Sequence, residues 1–210
     1  MKTSNWKERK WQAEARQKCM DWFLDEGLKI DCQNRNKFLI NAAPGSGKTS
    51  FSCNIAKILI EKKEIEQVII IAPTTKVVQQ WETDFKRFTS RPMIKVTGGN
   101  IFDSQGFDVC ATWSAIKNAQ GGFQLACDQR KTLVICDEQH HAAVKAAWGN
   151  SAESAFKKAQ YVLILSGTPI RSDSQDALWM PVDSEGEINH PTEGTYTLTY
   201  GQAVDLGYCR

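Results

Sequence analysis

The stretch FLINAAPGSGKT, residues 38–49, decides the fold of this chain. An apolar run leads into a glycine-rich turn, and Gly47-Lys48-Thr49 stands at the predicted start of a helix. Such a turn between a strand and a helix is a phosphate-binding loop, because its backbone N–H groups and the positive end of the helix dipole face an anion. We therefore predict that a nucleoside triphosphate binds to the residues of this loop, which are Ala43, Pro44, Gly45, Ser46, Gly47, Lys48, Thr49 and Ser50.

Two side chains of this loop have defined chemistry. Lys48 is predicted to reach the β- and γ-phosphates, and the Thr49 hydroxyl to ligate Mg²⁺. The alternative interpretation is a glycine-rich turn that binds no ligand. The Gly-Lys-Thr sequence between a strand and a helix makes that alternative the weaker one.

An acidic pair follows a second apolar run. Residues 133–136 are Leu-Val-Ile-Cys, and Asp137 and Glu138 come next. A strand that ends in two acids places them at the ligand-binding edge of a parallel sheet. We predict that Asp137 holds Mg²⁺ with Thr49 and that Glu138 polarises the attacking water. Alone the pair would be a solvated turn, but with the phosphate loop it indicates an ATP-hydrolysing site whose catalytic residues are Lys48, Asp137 and Glu138.

Short apolar runs alternate with amphipathic stretches along the whole chain. This alternation is the pattern of an α/β fold with a mainly parallel sheet and helices on both faces. The predicted strands are residues 38–40, 68–72, 94–96, 108–111, 133–136 and 161–165. The predicted helices are residues 6–26, 49–62, a stretch capped by Thr74 or Thr75, one from Ser151 with Asn150 as its cap, and 202–206.

The composition excludes few classes of protein. Hydrophobic residues make up 41% of the chain and the net charge is +2, so charge alone gives no argument for nucleic acid. Seven cysteines show no C-x-x-C spacing, which favours buried thiols in a reducing compartment over a zinc site. No apolar run is long enough for a membrane helix and the N-terminus does not resemble a secretory signal, so we expect a cytoplasmic protein without a membrane partner.

With Asp137-Glu138-Gln139-His140 as a D-E-x-H motif, the sequence resembles superfamily 2 helicases. The resembling branch includes type III restriction subunits and phage or bacterial DNA repair helicases, and the likeness covers residues 9–208. It implies a RecA-like P-loop NTPase domain that uses ATP and Mg²⁺, and helicase-type loops commonly have alanine at the position of Ala42. The segment around Gln12 is similar to the Q-motif, which implies a Gln12 contact with adenine. His140 is expected to form a hydrogen bond near the phosphates.

The resemblance also implies contacts with nucleic acid, with DNA favoured over RNA. Residues 72–76 resemble motif Ia, 96–99 motif Ib and 111–114 a phosphate-contacting turn. In the family these loops hold the nucleic-acid backbone, which assigns this role to Pro73, Thr74, Gly98, Gly99 and Thr112. Residues 165–169 resemble motif III, which implies that Ser166 and Thr168 couple the phosphate site to movement. Trp81, after motif Ia, is expected in the core.

The expected organisation has three parts. Residues 1–36 are a Q-motif helix region packed on the core, residues 37–180 are the RecA-like domain, and residues 181–210 are a polar, exposed excursion that leads to a linker. Helicases of this type have a second RecA-like domain that supplies an arginine finger. We therefore expect the chain to be half of a motor, either a piece of a longer protein or one part of a split one, and to hydrolyse ATP very slowly alone.

Three functions remain open at this point. The first is an ATP-dependent helicase or translocase. The second is a P-loop ATPase that does not translocate, such as the ATPase of a restriction complex. The third is a catalytically silent nucleotide-binding module that recruits a partner, against which the intact Lys48, Thr49, Asp137 and Glu138 argue.

Overall fold

The computed structural model contains one seven-stranded sheet in which every strand pair is parallel, in the order β3-β4-β2-β5-β6-β1-β7. The structure describes residues 6–25, 35–96, 106–138, 146–167 and 190–209. The fold class predicted from the sequence is confirmed. Because the strands are parallel, the loops that follow them lie along one edge of the sheet, where α/β proteins bind ligands.

The elements have the following bounds. The strands are β1 (Lys37–Ala42), β2 (Gln67–Ala72), β3 (Met93–Val96), β4 (Asp108–Thr112), β5 (Thr132–Asp137), β6 (Tyr161–Ser166) and β7 (Thr195–Leu198). The helices are α1 (Lys10–Leu24), α2 (Lys48–Glu61), α3 (Thr75–Thr89), α4 (Trp113–Gln129), α5 (Ala146–Phe156) and α6 (Tyr200–Asp205). Among the residues that the structure describes, no helix is long and apolar enough to cross a lipid bilayer.

The central strands are buried on both faces. All six residues of β2, β5 and β6 are buried, which explains why these strands read as continuous apolar runs. Alternate residues of each strand face two separate hydrophobic cores: Ile70 points into the core under α1, α2 and α3, and Ile69 into the core under α4 and α5. The sheet therefore carries helices on both faces.

The observed start of α3 agrees with the start predicted from the sequence, whereas the observed start of α5 does not. Thr74 is the N-cap of α3, and its hydroxyl oxygen accepts a hydrogen bond from the Val77 N–H at 3.3 Å. The prediction that Asn150 caps a helix from Ser151 was wrong, because α5 already begins at Ala146. Asn150 and Glu153 both lie inside this helix.

Helix α4 was not predicted. The sequence assigned residues 111–114 to a turn, and this turn is the junction at which β4 ends and α4 begins. The helix is kinked at Ala119, whose φ and ψ are −125° and 20°, and it then continues through Gly121-Gly122, although two glycines in a helix interior are unfavourable. Its burial against α5, with Phe123 edge-on to Phe156, compensates for this low propensity.

The prediction that the C-terminal segment is an exposed excursion is corrected for residues 195–198. These residues form β7, which pairs with β1 from Leu39↔Thr195 to Ala42↔Leu198. The sequence Thr-Tyr-Thr-Leu looks polar because β7 is an edge strand, of which only Leu198 is buried. Helix α6 confirms the predicted short helix near residue 202, and its Ala203 packs into the core.

The cysteines of the described residues are mostly buried thiols, as expected. Cys19, Cys53, Cys110, Cys127 and Cys136 are free and buried, whereas Cys209 is half-buried. Burial raises the pKa of the Cys127 thiol to about 12 and raises the thiol pKa of the other four as well. These side chains act as small apolar residues of the core.

His190 makes the stability of the fold sensitive to acid. Burial lowers the pKa of its imidazole, Nε2–H donates to the Lys37 carbonyl oxygen at 3.1 Å, and the ring packs edge-on against Trp22. Because the folded-state pKa lies below the unfolded value near 6.5, this group stabilises the fold above that pH and loses the contribution as the pH falls through the folded pKa.

We expect His190→Gln to reduce the acid sensitivity of the protein. On lowering the pH from 7.5 to 5.5, the melting temperature of the wild type should fall by about 1–3 °C more than that of the variant. The comparison of two pH profiles removes the contributions of all other titrating groups. Parallel profiles for the two proteins in differential scanning fluorimetry would contradict this expectation.

Candidate nucleotide-binding site

The site lies where three neighbouring strands end. The phosphate loop follows β1, and Asp137 ends β5 with Glu138 directly after it. Strand β6 lies between β1 and β5 and ends at Ser166, with Gly167 directly after it. These loops come together because the carboxyl ends of parallel strands share one edge. The sequence motifs therefore meet in space, although they are far apart along the chain.

The phosphate loop has the backbone of an anion cradle. The φ angles of Gly45 and Gly47 are +75° and +99°, a left-handed region that favours glycine. Helix α2 begins at Lys48, and its first intrahelical bond runs from the Phe51 N–H to the Gly47 carbonyl oxygen at 3.1 Å. The N–H groups of residues 48–50 precede that bond, so they are available to a ligand at the helix start.

Lys48 connects the two halves of the site. The residue is 8% exposed, and Nζ donates to the Ala42 carbonyl oxygen at 2.8 Å. The same Nζ lies 3.6 Å from Oε1 of Glu138. To reach it, the side chain passes Gly167 at the end of β6, where a Cβ atom would stand 3.3 Å from Nζ. The absence of a side chain at residue 167 gives Lys48 its path.

The acidic pair is asymmetric. Asp137 is 9% exposed, and burial raises its pKa to about 6, opposed by a hydrogen bond from Trp81 and reinforced by the neighbouring Glu138. Glu138 is more exposed and has a φ of +48°, which is uncommon outside glycine and is a mark of functional sites. One acid is thus held rigidly in the protein, and the other faces outward beside Lys48.

Side chains at the start of helix α1 bind the main-chain carbonyl oxygens of the phosphate loop. Gln12 accepts from the Arg9 N–H at 2.8 Å and donates through Nε2 to the Gly47 carbonyl oxygen at 2.9 Å. The indole of Trp11 donates to the Ser46 carbonyl oxygen at 3.1 Å, and Arg9 Nη1 donates to the same oxygen at 2.7 Å. Gln12 therefore lies against the loop, and its contact with adenine stays a prediction.

The C-terminal segment also contacts the loop. The Ala43 N–H donates to the Leu198 carbonyl oxygen at 3.3 Å, and Sγ of Cys209 donates to the Pro44 carbonyl oxygen at 2.9 Å. The guanidinium of Arg9 lies 4.8 Å from the ring centroid of Tyr208. Residues from both ends of the chain thus support the same loop.

The predicted nucleic-acid contacts differ in their exposure. Thr74 is exposed at the start of α3, next to the half-buried Pro73. Thr112 is only 7% exposed, and its hydroxyl is hydrogen-bonded to the hydroxyl of Ser114, which is itself exposed. Ser166 is buried at the end of β6. Gly98, Gly99, His140 and Thr168 lie outside the described residues.

The residues of the site fit a magnesium–triphosphate. Gly47 packs closely against α1, because a Cβ atom there would stand 2.9 Å from Nε2 of Gln12. The Ser46 hydroxyl, inside the loop, is buried and has no hydrogen-bond partner among the residues that the structure describes. A hydroxyl and a carboxylate are oxygen ligands of the kind that Mg²⁺ prefers, and Thr49 and Asp137 supply them.

Sequence reasoning missed several contributors to the site. The prediction that Trp81 is a core residue is confirmed, but its indole also donates to Asp137 Oδ2 at 2.8 Å, and the indole of Trp113 donates to the Asp137 carbonyl oxygen at 3.1 Å. The sequence carries only a general signal for these two bonds, namely that a buried indole N–H needs a hydrogen-bond acceptor. The roles of Arg9 and Gly167 have no local sequence signal.

This geometry defines a RecA-like domain of the superfamily 2 helicase class. The chain belongs to the family described as "Type III restriction enzyme, res subunit", whose model matches residues 5–171. It is 32% identical to an uncharacterized protein of Mycobacterium tuberculosis over 174 residues, which are 82% of this chain and 29% of that protein. An uncharacterized protein of Mycobacterium leprae is 31% identical over 87% of the chain. The chain spans about three tenths of the length of these relatives.

Solved structures of restriction and helicase cores share the fold. A nuclease-deletion mutant of the Type ISP restriction-modification enzyme LlaGI, in complex with a DNA substrate mimic, matches with a TM-score of 0.65 and 16% identity over 97% of this chain and 21% of that one. The SWI2/SNF2 ATPase core of Sulfolobus solfataricus, in complex with double-stranded DNA, matches with a TM-score of 0.63 and 15% identity over 84% of this chain and 35% of that one. The UvsW helicase of bacteriophage T4 matches with a TM-score of 0.55 and 19% identity over 77% of this chain and 52% of that one.

We expect Gly167→Ala to weaken nucleotide binding without unfolding the protein. The added methyl group would meet Nζ of Lys48 and the ring of Pro44 at 3.3 Å, so the lysine and the loop must shift. The expected loss of affinity for a fluorescent ATP analogue is roughly tenfold, typical of moderate overpacking. Gly121→Ala is the control, because a Cβ atom there meets nothing within 4 Å and should leave affinity unchanged. Equal affinity of both variants would disprove the role of Gly167.

Proposed function

We propose that the chain is the ATP-binding and ATP-hydrolysing half of a superfamily 2 helicase or translocase that acts on DNA. The observation that carries the proposal is the 3.6 Å approach of Lys48 Nζ to Glu138 Oε1. It joins the phosphate loop after β1 to the acidic pair after β5, as a single ATP-hydrolysing site requires. The family match and the helicase folds of the similar structures support the same function.

Each residue of the site has a role in this proposal. The N–H groups at the start of α2 hold phosphate oxygens, and Thr49 and Asp137 hold Mg²⁺. The ammonium of Lys48 has three N–H donors, and the Ala42 carbonyl and the Glu138 carboxylate are its partners among the described residues, which leaves a donor for a phosphate oxygen. A magnesium ion held by Thr49 and Asp137 would supply positive charge against the negative charge that develops on the phosphate oxygens.

Glu138 is the group that orients the attacking water. Its carboxylate is partly exposed, whereas that of Asp137 is buried and bonded to Trp81. The two acids are therefore suited to different tasks: Asp137 to a fixed metal ligand, and Glu138 to a hydrogen-bond acceptor for water. Release of Glu138 from its ion pair with Lys48 would accompany the approach of the phosphates.

DNA is proposed to bind along the same edge of the sheet. The start of α3 presents backbone N–H groups and the exposed Thr74 and Thr75, and the start of α4 presents the exposed Ser114. Helix starts and hydroxyl groups hold phosphates without a net positive surface, which agrees with a charge of only +2. Coupling of ATP to movement is proposed to need a second RecA-like domain, in the same chain or in a partner, that brings an arginine to the phosphates.

A second candidate is an ATPase of a restriction complex that does not translocate. The restriction subunit family and the fold shared with a restriction-modification enzyme favour it. A triplex-displacement assay would distinguish the two candidates. In this assay a third DNA strand is annealed to the duplex far from the entry site, and only a translocating motor removes that strand.

We expect Glu138→Gln to separate binding from hydrolysis. The variant keeps the loop and the metal ligands, so its affinity for Mg-ATP should stay within about threefold of the wild type, while single-turnover hydrolysis falls roughly a hundredfold or more. Lys48→Ala should instead lose binding, because it removes the charge that faces the phosphates. Glu153→Gln, on the exposed face of α5, is the control and should behave as the wild type.

A silent binding module would give a different result. In that case Glu138→Gln and the wild type would hydrolyse ATP at the same background rate, with and without DNA and the second domain. That outcome would reject the hypothesis of an ATP-hydrolysing enzyme and would retain only the hypothesis of a nucleotide-binding module.

A further inference from the structure

Two tryptophans from opposite faces of the sheet donate hydrogen bonds to the same residue, Asp137. Trp81 lies in α3 and belongs to the core under α1, α2 and α3. Trp113 is the first residue of α4 and belongs to the other core. Both side chains are 1% exposed, so neither indole has water as an alternative partner.

The two bonds fix different parts of Asp137. Nε1 of Trp81 lies 2.8 Å from Oδ2 of the carboxylate, and Nε1 of Trp113 lies 3.1 Å from the main-chain carbonyl oxygen. An indole N–H can only donate, so Oδ2 accepts this bond and is held on the side of Trp81. The orientation of the carboxylate is thereby set, and Oδ1 is the oxygen that we assign to Mg²⁺.

Both tryptophans also belong to the helices whose starts face the proposed DNA path. Trp81 lies about 9 Å along the axis of α3 from its first residue, which Thr74 caps. Trp113 directly follows Thr112. A closely packed core transmits a shift of a helix rather than absorbing it, so a movement at either helix start changes the position of an indole against Asp137.

We propose that Trp81 and Trp113 are positioning residues that hold Asp137 for magnesium and couple DNA binding at the starts of α3 and α4 to this carboxylate. The proposal rests on the proposed function, which makes Asp137 a magnesium ligand. By linkage, DNA raises the affinity of the nucleotide site for Mg²⁺ and Mg²⁺ raises the affinity for DNA by the same factor. Trp81 has the larger effect because it contacts the ligand carboxylate itself.

Trp81→Phe tests the proposal, and Trp22→Phe is the matched control. Trp22 is also buried and donates its indole N–H to a main-chain oxygen, that of Lys37, but it lies at the opposite end of β1. Each substitution removes one donor and keeps an aromatic ring in the core. Both should lower the melting temperature by about 3–8 °C. A merely structural role of Trp81 predicts no further difference between the two variants.

The decisive measurement is the Mg²⁺ dependence of the binding of a fluorescent ATP analogue. In EDTA all proteins should bind the analogue alike. The Mg²⁺ concentration for half-maximal enhancement should rise roughly tenfold in Trp81→Phe, less in Trp113→Phe, and not in Trp22→Phe. A random-sequence duplex DNA should lower that concentration in the wild type and in Trp22→Phe, but not in Trp81→Phe. Equal Mg²⁺ dependence of Trp81→Phe and Trp22→Phe would overturn the positioning role, and absence of any DNA effect in the wild type would overturn the coupling.

Indole NMR resonances of the wild type give a test that needs no variant. Addition of Mg²⁺ to the nucleotide-bound chain should shift the Nε1–H signals of Trp81 and Trp113 and leave that of Trp22 in place. Three unmoved signals would refute the proposal. If the wild type binds the analogue without any Mg²⁺ enhancement, the proposed function fails first; if enhancement is present and only the tryptophan effects are missing, this inference alone fails.

Discussion

The passage of the Lys48 side chain across the end of β6 is the constraint on which the site depends. Lys48 follows β1 and Glu138 follows β5, with β6 between them. Strands are about 4.8 Å apart, so the outer two are separated by roughly 10 Å at this edge, a gap that needs a long side chain and an unobstructed path. Gly167 supplies the path, and β6 contributes to the site in this way.

The carbonyl groups of the phosphate loop bind α1, whereas its N–H groups face the anion site. This difference explains why α1 packs against the loop. The carbonyl oxygens of Ser46 and Gly47 accept bonds from Arg9, Trp11 and Gln12. A peptide unit whose oxygen is held on one side presents its N–H on another, so α1 stabilises the conformation that an anion requires. The start of α1 therefore has a structural role in the phosphate loop.

Features that depend on neighbouring residues could be predicted from the sequence, whereas contacts between residues far apart along the chain could not. The phosphate loop, the acidic pair and the parallel sheet follow from short motifs and apolar runs. Helix α4 was hidden by Gly121-Gly122 and β7 by its polar edge residues, since tertiary packing overrides propensity there. The bond from Trp81 to Asp137 joins positions 56 residues apart, and no pattern within either segment indicates it. The contacts of Gln12, Thr74 and Thr112 with ligands stay predictions.

The position of β1 between β6 and β7 has a consequence for biosynthesis. Lys37 in β1 pairs with Val162 in β6, and Leu39 pairs with Thr195 in β7, so β1 has no neighbour until more than a hundred further residues have left the ribosome. At translation speeds of 5–20 residues per second this delay is roughly ten seconds. During that time the apolar β1 segment has neither of its strand partners, and apolar segments without strand partners are sites of aggregation.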